Sequence, residues 1–433
     1  MKTELVMTLK HQSKKILDEL HQAIEPVLIT ERGKPSTWLV DMGHFGQVVL
    51  YMSKCIPFNP NNIPSILILL LFATALVNCN ANKQNPDKLH YDSLQLLELT
   101  KEVEITETKD FIAVYLNGFF VAEDGHLLLA ERTPPSLHQF TPDGSYSRQV
   151  ARDGRGPGEL TSGFQSTLRG NALITSNNPG HMTTIFKQEE NGDFHFSESL
   201  NYEYPGSFRG FRSSDNYNLF YVSENAGLQT FAAPDEFTTA RIHAVEVIND
   251  SMSVKESIYS LAVHSAYMDI SENSISIYTL PYRYTDPFKP LDDGRALTAR
   301  ADSQIVRILD KDFKIEHEIH LNVANRDVTT EDLDFHIGQI DNPVQQKMRE
   351  LIKDSKPAFM DIQLDDSNRF WLWTDDSGSG REYVVLDYFG DPLGKVLLPQ
   401  HQQIEMVKGN RLYVLNRPHD DAHTAVVYHV DIE

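Results

Sequence analysis

Residues 111–151 read FIAVYLNGFFVAEDGHLLLAERTPPSLHQFTPDGSYSRQVA, and this stretch decides the fold. Its apolar runs are separated by short polar turns, two of which contain an Asp-Gly pair, at Gly125 and Gly144. Asp-Gly favours tight hairpins because glycine readily adopts a positive φ. The pattern predicts four antiparallel strands, over Phe111–Leu116, Leu127–Glu131, Leu137–Thr141 and Tyr146–Ala151. Four strands in about 40–45 residues match one blade of a β-propeller.

Similar groups of short strands recur along the rest of the chain. They are predicted within residues 171–200, 218–260, 274–321, 359–398 and 403–430. At about 45–55 residues per blade, residues 98–433 predict a mainly β chain folded as a six-bladed β-propeller, with seven blades as the alternative count. A helix that starts at Asn342-Pro343 is expected to interrupt the strands. Residues 80–97 are expected to be a linker.

A second informative segment lies before the propeller. Residues 66–77 are an apolar run, followed by Asn78 and Cys79. The run is too short for the roughly 20 residues of a membrane-spanning helix, but it suits the apolar part of an export signal. Read from Met52, the segment 52–79 resembles a bacterial lipoprotein signal in which Cys79 is lipidated, although Asn78 stands where that family has a small residue. An uncleaved membrane anchor and a buried apolar helix are the alternatives.

Composition agrees with export of the residues after this segment. The chain has two cysteines, Cys55 and Cys79, so no disulfide can form within the residues after Cys79. The formal net charge is −22, and residues 1–50 are neutral, with six basic and six acidic side chains. The acidic excess therefore belongs to the later part of the chain. Such a surface repels phosphate backbones and argues against nucleic acid as a partner of the propeller.

Residues 1–50 form a segment of a different kind. A helical period over residues 8–24 is followed by two β-prone runs around Glu31-Arg32-Gly33-Lys34-Pro35, which predicts a small α/β unit with a hairpin. The order resembles the N-terminal half of the Phd/YefM antitoxins, and that resemblance implies dimerisation and operator-DNA binding. It would place the DNA contacts at Lys10, Lys14, Lys15 and Arg32; a solvated helix face is the alternative interpretation. Because a DNA-binding module ahead of an export signal is physically inconsistent, a start codon placed too early or a fusion of two reading frames is our hypothesis.

A glycine-rich loop follows the first predicted blade. It reads Gly154-Arg155-Gly156-Pro157-Gly158-Glu159 and lacks both the Gly-Lys-Ser/Thr ending and the following helix of a phosphate-binding loop. We interpret it as a structural crossing between blades, with glycines for positive φ and a stiffening proline. In this position the motif resembles the six-bladed, NHL-related propeller lipoproteins of Bacteroidetes-type bacteria. That resemblance implies the architecture and an envelope location more firmly than a chemistry.

Two acidic segments are candidate metal sites. His419–His423 (HDDAH) and Asp375–Arg381 (DDSGSGR) each fit a solvated turn or loop better, and the second cannot supply by itself the six or more oxygens that calcium needs. No metal, cofactor or catalytic residue is therefore predicted, with Ca²⁺ as the one cofactor left open.

The leading function predicted from the sequence is a lipid-anchored binding or scaffold propeller of the cell envelope, facing the periplasm or attached to the outer membrane. Its expected partners are the membrane and an unknown protein or small molecule. A metal-dependent, lactonase-like hydrolase or lyase is the alternative, because propeller enzymes gather site residues from distant blades. A DNA-binding antitoxin is the third interpretation and concerns residues 1–50 alone.

Overall fold

The computed structural model describes residues 2–5, 27–31, 34–39, 88–176, 182–201, 206–211, 219–224, 238–248, 251–263, 267–270, 275–278, 280–282, 286–340, 342–418 and 421–432. The chain divides into two units, residues 1–86 and 87–433. With 52% strand and 8% helix, it is mainly β, as the sequence predicts.

The first unit contains one small sheet. Its strands are β1 (Lys2–Leu5), β2 (Val27–Glu31) and β3 (Lys34–Leu39). β2 and β3 pair in antiparallel fashion, which confirms the predicted hairpin, and β1 adds a parallel partner for β2 that the pattern did not predict. The predicted DNA contacts (Lys10, Lys14, Lys15 and Arg32), the helix over 8–24 and the signal segment with Cys79 lie outside the described residues.

The second unit begins with β4 (Leu99–Ile105) and continues as a series of antiparallel sheets. The first sheet contains β5 (Leu116–Val121), β6 (Leu127–Arg132), β7 (Pro135–Phe140) and β8 (Tyr146–Ala151). The second contains β9 (Gln165–Arg169), β10 (Ala172–Ser176), β11 (Met182–Gln188) and β12 (Phe194–Asn201). The third contains β13 (Gly206–Phe211), β14 (Leu219–Glu224), β15 (Thr238–Ile248) and β16 (Ser251–Val263). In each of these sheets, strands that are neighbours in sequence are also neighbours in space.

A two-stranded sheet of β17 (Tyr267–Ile270) and β18 (Ile275–Tyr278) precedes the next series. The following sheet contains β19 (Phe288–Pro290), β20 (Ala296–Arg300), β21 (Ile305–Leu309) and β22 (Ile315–His320). The next contains β23 (Asp361–Leu364), β24 (Phe370–Ser377), β25 (Gly380–Leu386) and β26 (Pro392–Leu398). The last combines β27 (Gln402–Lys408), β28 (Arg411–Asn416) and β29 (Thr424–Val430) with β4 from the start of the unit.

This last sheet closes the ring. Leu99 of β4 lies opposite Val430 of β29, and Ile105 lies opposite Ala425, in antiparallel register. The first and last strands of the propeller therefore pair with each other in one blade, and neither of them is left without a partner strand. The sequence predicts three strands of this blade and misses the fourth.

Five of the sheets surround one central cavity with their first strands, β5, β9, β19, β23 and β27. The structure thus shows a β-propeller arrangement of five blades, and the prediction of six is wrong in this respect. The sequence groups did match the four-stranded sheets of the second unit one by one.

The first blade shows why glycine matters at particular positions. Gly125 and Gly144 adopt φ of 91° and 87° in the two predicted Asp-Gly turns, a conformation that other residues rarely reach. Gly118 instead lies inside β5, next to a shift in register. The pair Asn117-Gly118 forms a bulge within the strand. The predicted first strand over Phe111–Leu116 is wrong, because the strand in the structure spans Leu116–Val121.

Two helices form an insertion between β22 and β23. α1 spans Thr330–Ile337 and α2 spans Asn342–Leu351, the latter starting where the sequence predicts it. Thr329 and Asp332 form a capping box at the start of α1. The buried Lys356 ammonium donates to Asp332 of α1 at 2.9 Å and to Asp375 of β24 at 2.9 Å. This ion cluster fixes the insertion to its blade.

Residues 88–98 are not a free linker, which corrects the prediction for 80–97. The Leu89 amide donates to the Asn322 carbonyl at 2.6 Å, and the Leu97 amide donates to the Lys395 carbonyl at 2.8 Å. Between them, Tyr91 is only 1% exposed in a core shared by two blades. We call residues 88–98 the strap, because they run across the blades β19–β22 and β23–β26 before β4 begins.

A buried histidine makes the stability of the first blade depend on pH. His138 packs against Phe111 with ring centroids 4.9 Å apart, and its one hydrogen bond in the described structure joins Nε2 to Ser136 Oγ at 3.0 Å. Burial lowers its pKa to about 4. As the pH falls through the ordinary histidine range, the unfolded chain therefore takes up a proton that the folded chain refuses.

We expect this difference to cost the wild type about 2–3 kcal/mol of unfolding free energy between pH 7 and pH 4. His138→Phe should flatten that part of the pH profile in urea-unfolding experiments, because phenylalanine does not titrate. His320→Gln is the matched control, since the His320 side chain is exposed. A profile for His138→Phe as steep as that of the wild type would contradict the assignment.

Candidate functional site

The central cavity has a volume of about 790 Å³. Its wall includes residues from the last part of all five first strands, among them Val121, Leu168, Pro290, Leu364 and Val407. The first strands therefore end together at one end of the propeller, which we call the cavity end. We call the end at which these strands begin the opposite end.

Arg169 connects two blades across the cavity wall. Its guanidinium donates to the Pro290 carbonyl at 2.5 Å and to the Leu168 carbonyl at 2.8 Å, and Nε lies 3.2 Å from Asp292 Oδ1. Burial lowers the pKa of Arg169 while Asp292 opposes that change. An arginine remains protonated under these conditions, so the wall has a fixed positive charge with its carboxylate partner beside it.

Two further ion pairs lie at the wall. Lys289 Nζ donates to Asp361 Oδ2 at 2.7 Å, and Arg417 donates to Glu405 Oε1 at 2.8 Å. Arg417 also donates through Nε to the Leu116 carbonyl at 2.8 Å, so it links the closing blade to the first one. Burial raises the pKa of Glu405, and the positive charges of Arg417 and Lys289 counteract that effect. The wall is thus polar, and Arg169, Lys289 and Glu405 in it each have an oppositely charged partner.

The turn after β23 is the most tightly bonded part of the cavity end. The fully buried Asp365 carboxylate accepts hydrogen bonds from the Ser367 and Arg369 amides, from Arg369 Nε at 2.7 Å and from Trp371 Nε1 at 2.9 Å. Arg369 in turn donates to the Gly409 carbonyl at 2.5 Å, in the turn after β27. These bonds join neighbouring blades, so this part of the cavity rim is rigid without a ligand.

The predicted loop Gly154–Glu159 lies between β8 and β9 and lines no part of the cavity. Glu159 folds back over the loop, where it accepts from the Gly156 amide at 2.8 Å and from Arg152 Nε at 3.1 Å. A Cβ on Gly154 would lie 1.9 Å from Glu159 Oε2, so a side chain at this position would displace the Glu159 carboxylate. Gly158 adopts a φ of 76° beside Phe196, and Pro157 lies between these glycines. The carboxylate thus occupies the space that a phosphate would need.

The two candidate metal segments are also occupied by protein contacts. The His423 ring accepts from the Leu116 amide through Nδ1 at 3.1 Å, while His419 and Asp420 lie outside the described residues. Asp375 is bonded to Lys356, and Asp376 lies 3.3 Å from Arg381 Nε. Across the described part of the chain, no three histidine, cysteine or carboxylate side chains are grouped so that they could hold a metal ion.

Sequence reasoning missed the residues that form the cavity wall. Arg169, Lys289 and Glu405 come from three blades and are separated by more than a hundred residues in each step. The signal available was their place near the end of a blade's first strand, where side chains from all blades converge. Finding these residues from their place in the first strands requires the correct bounds of every blade, and the sequence did not predict all of these bounds.

In the ranges that the structure describes, no helix combines the length and the apolar character needed to cross a bilayer.

No family model matches the chain, and no curated protein matches it. Among solved structures, a protein of Bacteroides fragilis presumed to be exported has 11% identity and a TM-score of 0.48, over 80% of this chain and 98% of that one. A member of the DUF4221 family from Bacteroides vulgatus has 10% identity and a TM-score of 0.46, over 79% and 99%. Virginiamycin B lyase from Staphylococcus aureus has 11% identity and a TM-score of 0.39, over 77% and 99%.

TM-scores below 0.5 carry no argument about the function of this chain, and the fold rests on its own strand pairing. The resemblances to Phd/YefM antitoxins and to NHL-related lipoproteins are not confirmed by these comparisons.

Proposed function

We propose that this chain is an exported, envelope-held propeller that binds a small polar ligand in its central cavity and does no chemistry on it. The cavity carries the proposal. Its volume of about 790 Å³ falls within the range of about 300–1,000 Å³ typical of ligand sites. Its rim is held in place by bonds between blades, so binding would cost little ordering of the protein.

The chemistry of the wall favours binding over catalysis. Among the described residues that line the cavity there is no histidine, cysteine or tyrosine. Glu405 is the lining carboxylate whose burial raises its pKa, as a general base would require. Arg417 occupies one of its oxygens at 2.8 Å, which favours the charged form and a structural role.

Export and anchoring are proposed from the sequence of residues 52–79, with Cys79 as the lipidated residue. A lipid with two or more acyl chains would hold the protein stably, because each buried CH₂ contributes about 0.8 kcal/mol. The intact mass of the protein from its native membrane should equal a chain that starts at an acylated Cys79; an intact Met1 would overturn this part.

Ligand binding is tested with a variant that fills the cavity. Thr167 of β9 lines the cavity, and Thr167→Trp should reduce the retention of any bound molecule by about tenfold or more, because the indole occupies its space. The full chain with Cys79→Ser is incubated with a small-molecule extract of its source cells. Native mass spectrometry then measures the fraction of protein that retains a bound molecule and the added mass.

The matched control is Ser145→Trp, at a turn outside the cavity, and it should retain what the wild type retains. Equal retention by Thr167→Trp, or none by the wild type, would contradict a cavity ligand. A melting temperature that rises with added Ca²⁺ or Zn²⁺ would instead favour the metal-dependent enzyme.

A further inference from the structure

Three apolar side chains are exposed just before the first blade. Ile112 is 62% exposed, Val114 is 55% exposed and Tyr115 is 43% exposed. The alternating residues Phe111 and Ala113 are buried, so the backbone directs the exposed set outward. We call Ile112, Val114 and Tyr115 the apolar patch.

The apolar patch is held rigidly. The buried Glu131 carboxylate accepts hydrogen bonds from the Val114 amide at 3.1 Å and from the Tyr115 amide. Arg132 donates its amide to the Tyr115 carbonyl at 2.8 Å, and its guanidinium lies over the Tyr115 ring, 5.5 Å from the centroid. Because the buried carboxylate fixes this segment, its apolar side chains stay exposed to water. Covering them with another surface would be favourable, since it would remove apolar area from water.

The patch lies at the opposite end of the propeller, away from the cavity. It immediately precedes Leu116, where β5 begins, whereas Val121 at the other end of β5 lines the cavity. The strap starts at the same end. The Leu89 amide donates to the Asn322 carbonyl, just after β22. β22 is the fourth strand of its blade and runs antiparallel to the first strand, β19, so β22 ends at the end of the propeller where β19 begins. The described start of this unit, at the strap, therefore lies at the same end of the propeller as the patch.

Charge is distributed unequally between the two ends. Turns at the cavity end carry an excess of exposed carboxylates, for example Glu123, Asp124, Asp143, Glu189, Asp292 and Asp366. At the opposite end, exposed cations such as Lys109, Arg132, Arg152, Arg155 and Arg300 are accompanied by exposed carboxylates. These carboxylates include Asp110, Asp153, Asp302, Asp327, Glu331, Asp334, Glu350 and Asp354. Among the described residues, exposed cations are thus more frequent at the opposite end than at the cavity end, while exposed carboxylates occur at both.

We propose that the opposite end faces the lipid surface and that the apolar patch inserts into the boundary between headgroups and acyl chains. This proposal rests on the envelope anchoring proposed above. Three side chains are too few for a protein partner, since a stable protein interface buries about 800 Å² on each side. Tyrosine, aliphatic side chains and a neighbouring arginine are the combination that suits the membrane interface. The cavity then opens away from the membrane.

Vesicle sedimentation tests the proposal with the full chain carrying Cys79→Ser, which removes the lipid but leaves the apolar run 66–77 in every variant. Ile112→Asp, Val114→Asp and Tyr115→Asp combined should lower partitioning into phosphatidylcholine–phosphatidylglycerol vesicles by about tenfold or more, since charges replace inserted apolar groups. The control is Phe389→Asp, which changes a 75% exposed apolar side chain in a turn at the cavity end. It should partition as the wild type does.

Partitioning of the triple variant equal to that of the wild type would overturn the proposal, and so would a wild type that does not bind. Neither result touches the proposed anchoring, which the mass of the native protein decides. A second measurement needs no disruptive change. With both native cysteines replaced by serine, a fluorophore on Val114→Cys should be quenched by brominated lipids, and one on Asp366→Cys should not. Quenching at position 366 alone would reverse the orientation and refute the inference.

Discussion

Asp365→Ala is expected to lower the free energy of unfolding by about 3–5 kcal/mol, because it leaves the Arg369 guanidinium buried without its carboxylate. Asp365 is fully buried and accepts four hydrogen bonds from its own turn and from Trp371. Arg369 also bonds to Gly409 and Asn410 in the turn of the next blade. The loss should therefore loosen the contact between two blades as well as one turn.

The neighbouring residue provides the control. Asp366 is exposed and accepts one hydrogen bond, from the Gly409 amide at 2.7 Å. Asp366→Ala should cost about 1 kcal/mol or less. Urea unfolding followed by tryptophan fluorescence measures both variants, with Trp371 next to the change. Equal losses for the two variants would show that the buried carboxylate is not the organising group of this turn.

Tyr91→Ala is expected to lower the free energy of unfolding by about 3–5 kcal/mol, the usual cost of removing a buried aromatic ring. Tyr91 belongs to the core between the blades β19–β22 and β23–β26, and Arg326 lies over its ring at 5.2 Å. Its hydroxyl is buried without a hydrogen-bond partner in the described structure, and desolvation raises its pKa. Tyr91→Phe should therefore be neutral or stabilise the protein by about 1 kcal/mol.

The contrast between a strongly destabilising Tyr91→Ala and a Tyr91→Phe that costs no stability makes the test specific. The exposed neighbour His90 serves as the control, and His90→Ala should change stability by less than about 0.5 kcal/mol. Limited proteolysis should also cut the strap faster in Tyr91→Ala than in the wild type. A destabilised Tyr91→Phe variant would mean that the hydroxyl has a partner and that the strap is held differently.

Local patterns predicted the strands well, because hairpins depend on residues close in sequence. Asp124-Gly125 and Asp143-Gly144 form the turns that the sequence indicates, and Asn342-Pro343 starts α2. α1 was missed although Thr329 and Asp332 have the spacing of a capping box. Its apolar stripe is weak, so the periodicity gave no signal to accompany the cap.

Errors arose where distant residues decide the outcome. β4 was not recognised as a blade strand because its partner, β29, lies at the other end of the chain. The strap resembles a linker in the sequence. Its few apolar residues can be recognised as core residues only when the blades that they pack against are known. The cavity wall depends on which strand of each blade faces inward, so Arg169 and Glu405 could not be chosen from other charged residues.

The pairing of β4 with β29 also has a consequence for biosynthesis. β4 is synthesised before the other strands of the propeller and β29 after them. The sheet that closes the ring therefore cannot form until nearly the whole chain has emerged. In a chain that ends before residue 424, β4 has no neighbouring strand. Its unpaired backbone N–H and C=O groups would favour aggregation and proteolysis. The pairing that closes the ring is therefore available only to a chain that includes β29.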